Sequence, residues 1–276
     1  MTAVRAGGPR RADVAARYDL GVDSYVALWS PVILPPALSV IAALDLRSSR
    51  RVLDLGTGSG ALVPHLRVAA PTATVVGLDP SREMLRFARH ATSVLALEGD
   101  AVSLPLDAGS VDGALLAFVL FHVSDPAAAM AEVARVVTAG GAVGTVTWVR
   151  DGALGAYEVW DTTLTEAGAP PLPAMRVDSG LDSPEAVDAL LADAGLLTVQ
   201  VWTEDLEHQW DAPTYWQLAT GSGVNRMRLD QLEPSVRAET LDGARRRLDA
   251  LPSEAFRWSG QVVCAVGAKP SEAAPR

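Results

Sequence analysis

From Arg51 to Val149 short apolar runs alternate with stretches of helical spacing, and this alternation constrains the fold more than any other feature of the chain. The order is VLDL, a helix from about Ser59, ATVVGLD, a helix SREMLRFARH, VLALEGD, VDGALLAFVLF, a helix DPAAAMAEVARVV and GAVGTVTWV, with Gly140 and Gly141 as the helix stop. Strands separated by single helices need right-handed crossovers, which build a parallel sheet with helices on both faces. After Val149 the rhythm loosens into a helix near ALGAYEVWDTTLTEAG, a Pro-rich loop, and a helix SPEAVDALLADAG with Ser183 as N-cap and Pro184 in first position. A strand LLTVQVWTEDLEHQW, helical material from about Pro213 to Leu251 and a final strand FRWSGQVVCAVGA complete the chain, and the two late strands are expected to pair at the sheet edge. Upstream, Val14, Tyr18, Val22, Tyr25, Val26 and Trp29 recur at helical spacing, and Pro31, Pro35 and Pro36 are expected to break this region into short helices. The segments are therefore 1–46, an N-terminal helical lid; 47–210, a ligand-binding core; 211–252, a helical lid insertion; and 253–276, the last core strand and tail. Residues up to about Gly8 and from Pro270 onward are expected to fray.

Composition removes several functions. A formal net charge of -10 leaves no basic excess for a nucleic-acid backbone, and the run Arg245 to Arg247 is too short to change that. The dense charge of RMRLDQLEPSVRAETLDGARRRLDAL reads as a solvated helical surface. With Cys264 as the single cysteine, no intrachain disulfide forms and a four-cysteine zinc site is excluded; no metal is expected, and the thiol reads as buried and inert. The first residues lack the apolar core of a signal peptide and no later stretch reads as long enough to span a bilayer, so the expectation is a cytoplasmic protein without membrane association.

The chemistry gathers at RRVLDLGTGSGAL. Gly56, Thr57, Gly58, Ser59 and Gly60 lie between a strand and a helix, where glycine lets a ligand approach the backbone. The cluster also fits the dinucleotide fingerprint loosely, with Ala61 in the last place and Asp79 at the distance of a ribose-binding acid, so an NAD(P)-dependent oxidoreductase is a further reading. Asp54 separates the two. A carboxylate directly before the loop repels a pyrophosphate and suits a cationic ligand, although it also has a local use in capping the glycine turn.

Taken in order, VLDLGTGSG, VVGLDPSREML, LEGDAVSLPL and VDGALLAFVLFHVSDPAAAMAEVARVVTAGGAVGTVTW resemble the motifs of the class I S-adenosylmethionine-dependent methyltransferases, particularly the small-molecule ubiquinone/menaquinone-type branch. The resemblance covers about Tyr18 to Val149 and implies a Rossmann-like, seven-stranded, mostly parallel sheet with helices on both faces and a helical lid. It implies S-adenosylmethionine as cofactor, held by Asp54, Gly56, Thr57 and Gly58; by Asp79 on the ribose hydroxyls, beside Pro80; by Met84 near the adenine; by Asp100 and the Ala101 backbone on the adenine; by backbone near Phe118; and by Tyr18 closing from the N-terminal helices.

Methyl transfer to a hydroxyl or amine needs alignment and often a base. His122, in LFHVSDP after the fourth strand, is the catalytic candidate, with a structural or cofactor-positioning role as its alternative; His208 is a weaker candidate, and His65 and His90 read as solvent-facing. Tyr25, Trp29, Trp210, Tyr215 and Trp216 are the candidate walls of an apolar acceptor pocket, or else they hold the lid to the core. The expected partner is a small-molecule acceptor, with an oxygen or nitrogen nucleophile preferred over carbon and a source in secondary metabolism, and with a homodimer as the candidate assembly. The competing expectation is a protein that binds the cofactor but catalyses a non-methylating step such as cyclisation or hydroxylation.

Overall fold

The computed structural model describes residues 11–171, 180–221 and 223–271. Of the termini expected to fray, 1–8 and 272–276 lie outside the described residues, as does most of the Pro-rich loop, while Pro270 and Ser271 are described.

The alternating runs become β1 (Arg51–Leu55), β2 (Thr74–Asp79), β3 (Leu95–Glu98), β4 (Val111–Ala117) and β5 (Val137–Ala153), joined by α4 (Val63–Ala69), α5 (Arg82–Thr92) and α6 (Pro126–Val136). With β6 (Leu197–Gln209) and β7 (Arg257–Ala268) they form one seven-stranded sheet of order β3-β2-β1-β4-β5-β7-β6. The first five strands run parallel; β7 is antiparallel to both β5 and β6, so the late strands do pair at the edge. Successive strand residues serve two cores. Val52, Val75, Leu115, Val146, Val262 and Cys264 pack with residues of α4, α5 and the lid helices, whereas Leu53, Leu55, Ala114, Leu116, Val143, Val263 and Ala265 pack with α6 and with α8 (Pro184–Asp193). At the start of α8 the Ser183 hydroxyl accepts from the Ala186 amide at 3.2 Å, and Pro184 occupies the first turn.

Five readings need correction. Pro31, Pro35 and Pro36 do not break the N-terminal region: α2 (Val22–Ser24), a wide π turn (Tyr25–Trp29) and α3 (Ser30–Ala43) follow one another without a gap. Pro31 sits in the first turn of α3, where no amide partner is needed, and burial of Val32, Ile33, Pro36, Ala37, Val40 and Ile41 outweighs the bonds lost at Pro35 and Pro36. The resulting run, Val22–Ala43, is 22 residues long and apolar enough to cross a membrane by length and composition, contrary to the reading above. Here α3 packs against β5, β6, β7 and α4. Third, Gly140 and Gly141 do not stop α6; the helix ends at Val136, and both glycines lie inside β5. Fourth, the charged stretch 226–251 is not wholly solvated, because Arg228 is 5% exposed and its guanidinium meets Asp161, Thr165 and the carbonyls of Ala169 and Pro170. Lastly, His65 is half-buried, while His90 is exposed.

α1 (Arg11–Asp19) and the helix run that follows it line the cleft at the carboxyl ends of the first strands, and the insertion formed by α9 (Ala212–Gly221), α10 (Gly223–Leu229) and α11 (Pro234–Asp249) packs on these helices and on α7 (Gly155–Glu166). The N-terminal helices and the insertion meet backbone to backbone. Gly21 has φ +84°, and a Cβ there would lie 2.0 Å from the Gly221 carbonyl oxygen; a Cβ on Gly223 would lie 1.9 Å from the Arg17 carbonyl oxygen. Neither contact can relax by rotating a side chain, so any larger residue must separate the two pieces. Gly21→Ala is expected to destabilise the fold by about 1–3 kcal/mol, the range for overpacking with added backbone strain, as read from urea unfolding.

Candidate functional site

The glycine loop after β1 is folded back on β2. The amides of Gly56 and Thr57 both donate to the Leu78 carbonyl, at 2.7 and 3.1 Å, and Gly56, Gly58 and Gly60 all have positive φ. The Gly58 amide donates to Asp79 Oδ2 at 2.9 Å and the Ser81 amide to Asp79 Oδ1 at 2.8 Å. Asp79 thus stands at the end of β2 with each carboxylate oxygen holding one amide and keeping acceptor capacity toward the space above.

That space is an open cleft between the strand ends and the N-terminal helices. Of the residues assigned to the cofactor by resemblance, Tyr18, Gly56, Gly58, Asp79, Pro80, Met84, Asp100, Ala101 and Phe118 line it, and so does His122. Asp54 and Thr57 are not among its walls. Asp54 is 1% exposed and lies beneath the loop, where its Oδ2 accepts the Thr57 hydroxyl at 2.7 Å. Room for Thr57 comes from β2: Gly77 pairs with Asp54, and a Cβ on Gly77 would lie 2.8 Å from Thr57 Cγ2 and 2.9 Å from its hydroxyl.

Burial pushes both carboxyls up to about 6. For Asp54 the Thr57 hydroxyl works against burial and the Asp79 charge adds to it; for Asp79 the Ser81 and Gly58 amides work against burial and the Asp19 charge adds to it. The site therefore concentrates negative charge with little solvent to disperse it, an arrangement that a cationic ligand relieves.

The other walls are aromatic. Tyr25, Trp29, Phe118, Phe121 and Trp148 face the cleft together with Ile33 and Val123. Phe118 holds φ +60°, an uncommon conformation for a bulky residue, and its ring packs on Trp148 at 4.9 Å between centroids. Trp210, Tyr215 and Trp216 do not line the cleft. Trp210 stacks on Trp29 at 6.0 Å, Tyr215 contacts Phe256 at 5.7 Å, and Trp216 lies between Trp160 and Arg245, so these three join the insertion to the core. His208 packs on Trp210 at 4.5 Å, and burial lowers its pKa.

The N-terminal helices close the cleft through polar contacts. Tyr18 Oη and His122 Nε2 are 2.9 Å apart, and the Tyr18 ring meets Tyr25 edge to face. Asp19 Oδ1 accepts the Ser81 hydroxyl at 2.6 Å and the Glu83 amide at 3.1 Å, docking α1 on the first turn of α5. Sequence reasoning missed Asp19, Ser81, Phe121 and Trp148. Only Ser81 carried a local signal, an N-cap position whose hydroxyl accepts from the Met84 amide.

Residues 53–144 match the family model described as a methyltransferase domain. Residues 53–144, a third of the chain, are thus similar to a methyltransferase domain. An uncharacterized methyltransferase of Mycobacterium tuberculosis is 46% identical over 109 residues, 39% of this chain and 44% of that protein. Demethylmenaquinone methyltransferase of Thermus thermophilus is 38% identical over 107 residues, 36% of this chain and 49% of that protein. The matched region spans less than half the length of either relative. Among solved structures the [4+2]-cyclase SpnF aligns with a TM-score of 0.58 over 96% of this chain and 99% of its own; at 17% identity that likeness is one of fold.

Within the methyltransferase domain, the buried acids yield a pH test. An acid whose folded pKa stands near 6 rather than its unfolded value of about 4 holds its proton more tightly when folded. It therefore opposes folding increasingly as pH rises from the lower value to the higher, and by a constant amount above that. Asp54→Asn should gain stability relative to the parent chain across that window, by up to roughly 3 kcal/mol, and the gain should level off above about pH 6.5. Urea unfolding of both proteins across pH checks it. Gly77→Ala, which pushes Thr57 off Asp54, is expected to cost about 1–3 kcal/mol in the same assay.

Proposed function

We propose that the protein is an S-adenosylmethionine-dependent methyltransferase acting on oxygen or nitrogen of a small organic acceptor, with a role in secondary metabolism. The observation that carries this reading is the two-part character of the cleft: buried acids and backbone amides around the glycine loop, and a wall of aromatic rings beside them.

The residues fit the cofactor. Asp79 has acceptor capacity for two ribose hydroxyls, Asp100 and Ala101 offer a carboxylate and a backbone edge to the adenine, and Met84 supplies an apolar surface beside it. Gly56 and Gly58 leave the backbone open to the amino-acid part, and the charges of Asp54 and Asp79 suit a sulfonium. When bound, the cofactor supplies an activated methyl group.

The chain's own part is then orientation and proton management. Tyr25, Trp29, Phe118 and Trp148 give a flat or greasy acceptor an apolar surface, part of it supplied by the lid helices. His122, hydrogen-bonded to Tyr18 at the cleft wall, can take a proton from an acceptor hydroxyl or ammonium, with the Tyr18 hydroxyl as the group that fixes the imidazole or passes the proton on.

The test is release of S-adenosylhomocysteine with a panel of phenolic, amine and carboxylate acceptors, beside calorimetric binding of S-adenosylmethionine and NAD(H). Tight binding of S-adenosylmethionine without turnover on a verified substrate supports the non-methylating alternative, and binding of NAD(H) alone supports an oxidoreductase. Asp79→Ala is expected to weaken cofactor binding by about 1–3 kcal/mol, the scale of a lost charged acceptor. Unchanged affinity in a folded variant refutes the ribose assignment.

A further inference from the structure

Three described side chains on the cleft wall are basic: Arg11, Arg17 and His122. Arg11 is committed to Glu98 at 3.2 Å, and His122 meets Tyr18. Arg17 is half-buried, its guanidinium carbon lies 5.6 Å from the centre of the Tyr18 ring, and among the described residues it has no ion-pair partner. In a chain with 33 acidic and 23 basic residues, a partly desolvated arginine without a carboxylate runs against the composition. Removing a cation from water without an anion is costly, so a cleft that holds one is suited to an anionic ligand group.

The position of Arg17 is also built. Its carbonyl oxygen sits so close to the Gly223 backbone that a Cβ there would stand 1.9 Å away, which fixes the end of α1 against the insertion. The contact fixes the backbone of Arg17, while its guanidinium lies beside the Tyr18 ring and presents a planar fork that matches a carboxylate with two parallel hydrogen bonds. The same cleft carries Asp79 and Asp100, so it offers one arginine and two acids to a ligand with charges of both signs.

Resting on the cofactor reading above, we propose that Arg17 anchors a carboxylate of a ligand bound in the cleft. Two sources share that chemistry: the amino-acid end of the methyl donor, and an acid group on the acceptor.

The experiment uses the full chain with Arg17→Met, which keeps the apolar stem over Tyr18, and Arg17→Lys, which keeps the charge but loses the fork; thermal unfolding confirms that both fold. Calorimetry compares S-adenosylhomocysteine with 5′-methylthioadenosine, which lacks the amino-acid end, and compares phenylacetate with phenylethanol in the presence of S-adenosylhomocysteine. If the donor is the source, Arg17→Met loses about tenfold for S-adenosylhomocysteine and nothing for methylthioadenosine, with Arg17→Lys intermediate, as expected for one charged contact. If the acceptor is the source, the loss falls on phenylacetate and spares phenylethanol. An Arg17→Met variant that binds all four probes as the parent does overturns the assignment. Failure of the parent chain to bind either nucleoside is a separate result and overturns the methyl-donor reading itself.

Discussion

The hydrogen bonds that fasten the glycine loop to the end of β2 are what the rest of the site depends on. Asp79 holds the Gly58 and Ser81 amides, and Leu78 receives those of Gly56 and Thr57, so the loop, the strand end and the start of α5 form one hydrogen-bonded unit. Asp54 reinforces it from below through Thr57, in the space that Gly77 leaves free. Two carboxylates in so little solvent are raised toward neutral pH, and the ligand-free protein carries this electrostatic cost in return for a site already shaped for positive charge.

The lid extends this logic across the chain. Asp19 reaches the same helix start from α1, and its charge adds to the pressure on Asp79. Tyr18, one residue earlier, reaches His122 beyond β4, so a single turn of helix touches the loops after two different strands. Close backbone contact at Gly21, Gly221 and Gly223 then joins α1 to the insertion, and Trp210, stacked on Trp29 and in contact with Tyr215, links the aromatic wall to the insertion. The glycine-loop side and the aromatic side of the cleft are in this way parts of one packed body rather than neighbours on a surface.

Much of this was legible in the sequence because it is local. The switch from period 2 to helical spacing gave the strands and helices, and a carboxylate at a strand end followed by glycines named Asp54, Asp79 and the loop. Distances over long separations were not legible. Nothing near Trp148 marks it as a wall for Phe118, and nothing in PVILPP shows that packing on the sheet would keep a helix continuous through Pro35 and Pro36. Arg228 misled for the same reason: its helix carries dense charge, and its partners at Asp161 and Ala169 lie some sixty residues away. Trp210, Tyr215 and Trp216 have the composition of a pocket, yet the packing spends them on holding the insertion.

The sequence alone determined the order of the strands along the chain, the acids at their ends and the glycine turn, since each follows from the chemistry of adjacent residues. Tertiary structure alone decided that Asp54 lies beneath the loop rather than on the cleft wall, that Tyr18 meets His122, and that Arg17 faces the cleft without an ion-pair partner among the described residues. The physical reason is that burial and pairing are properties of what the fold brings together. A residue's cost or use as a charge is set by neighbours that its own segment does not contain.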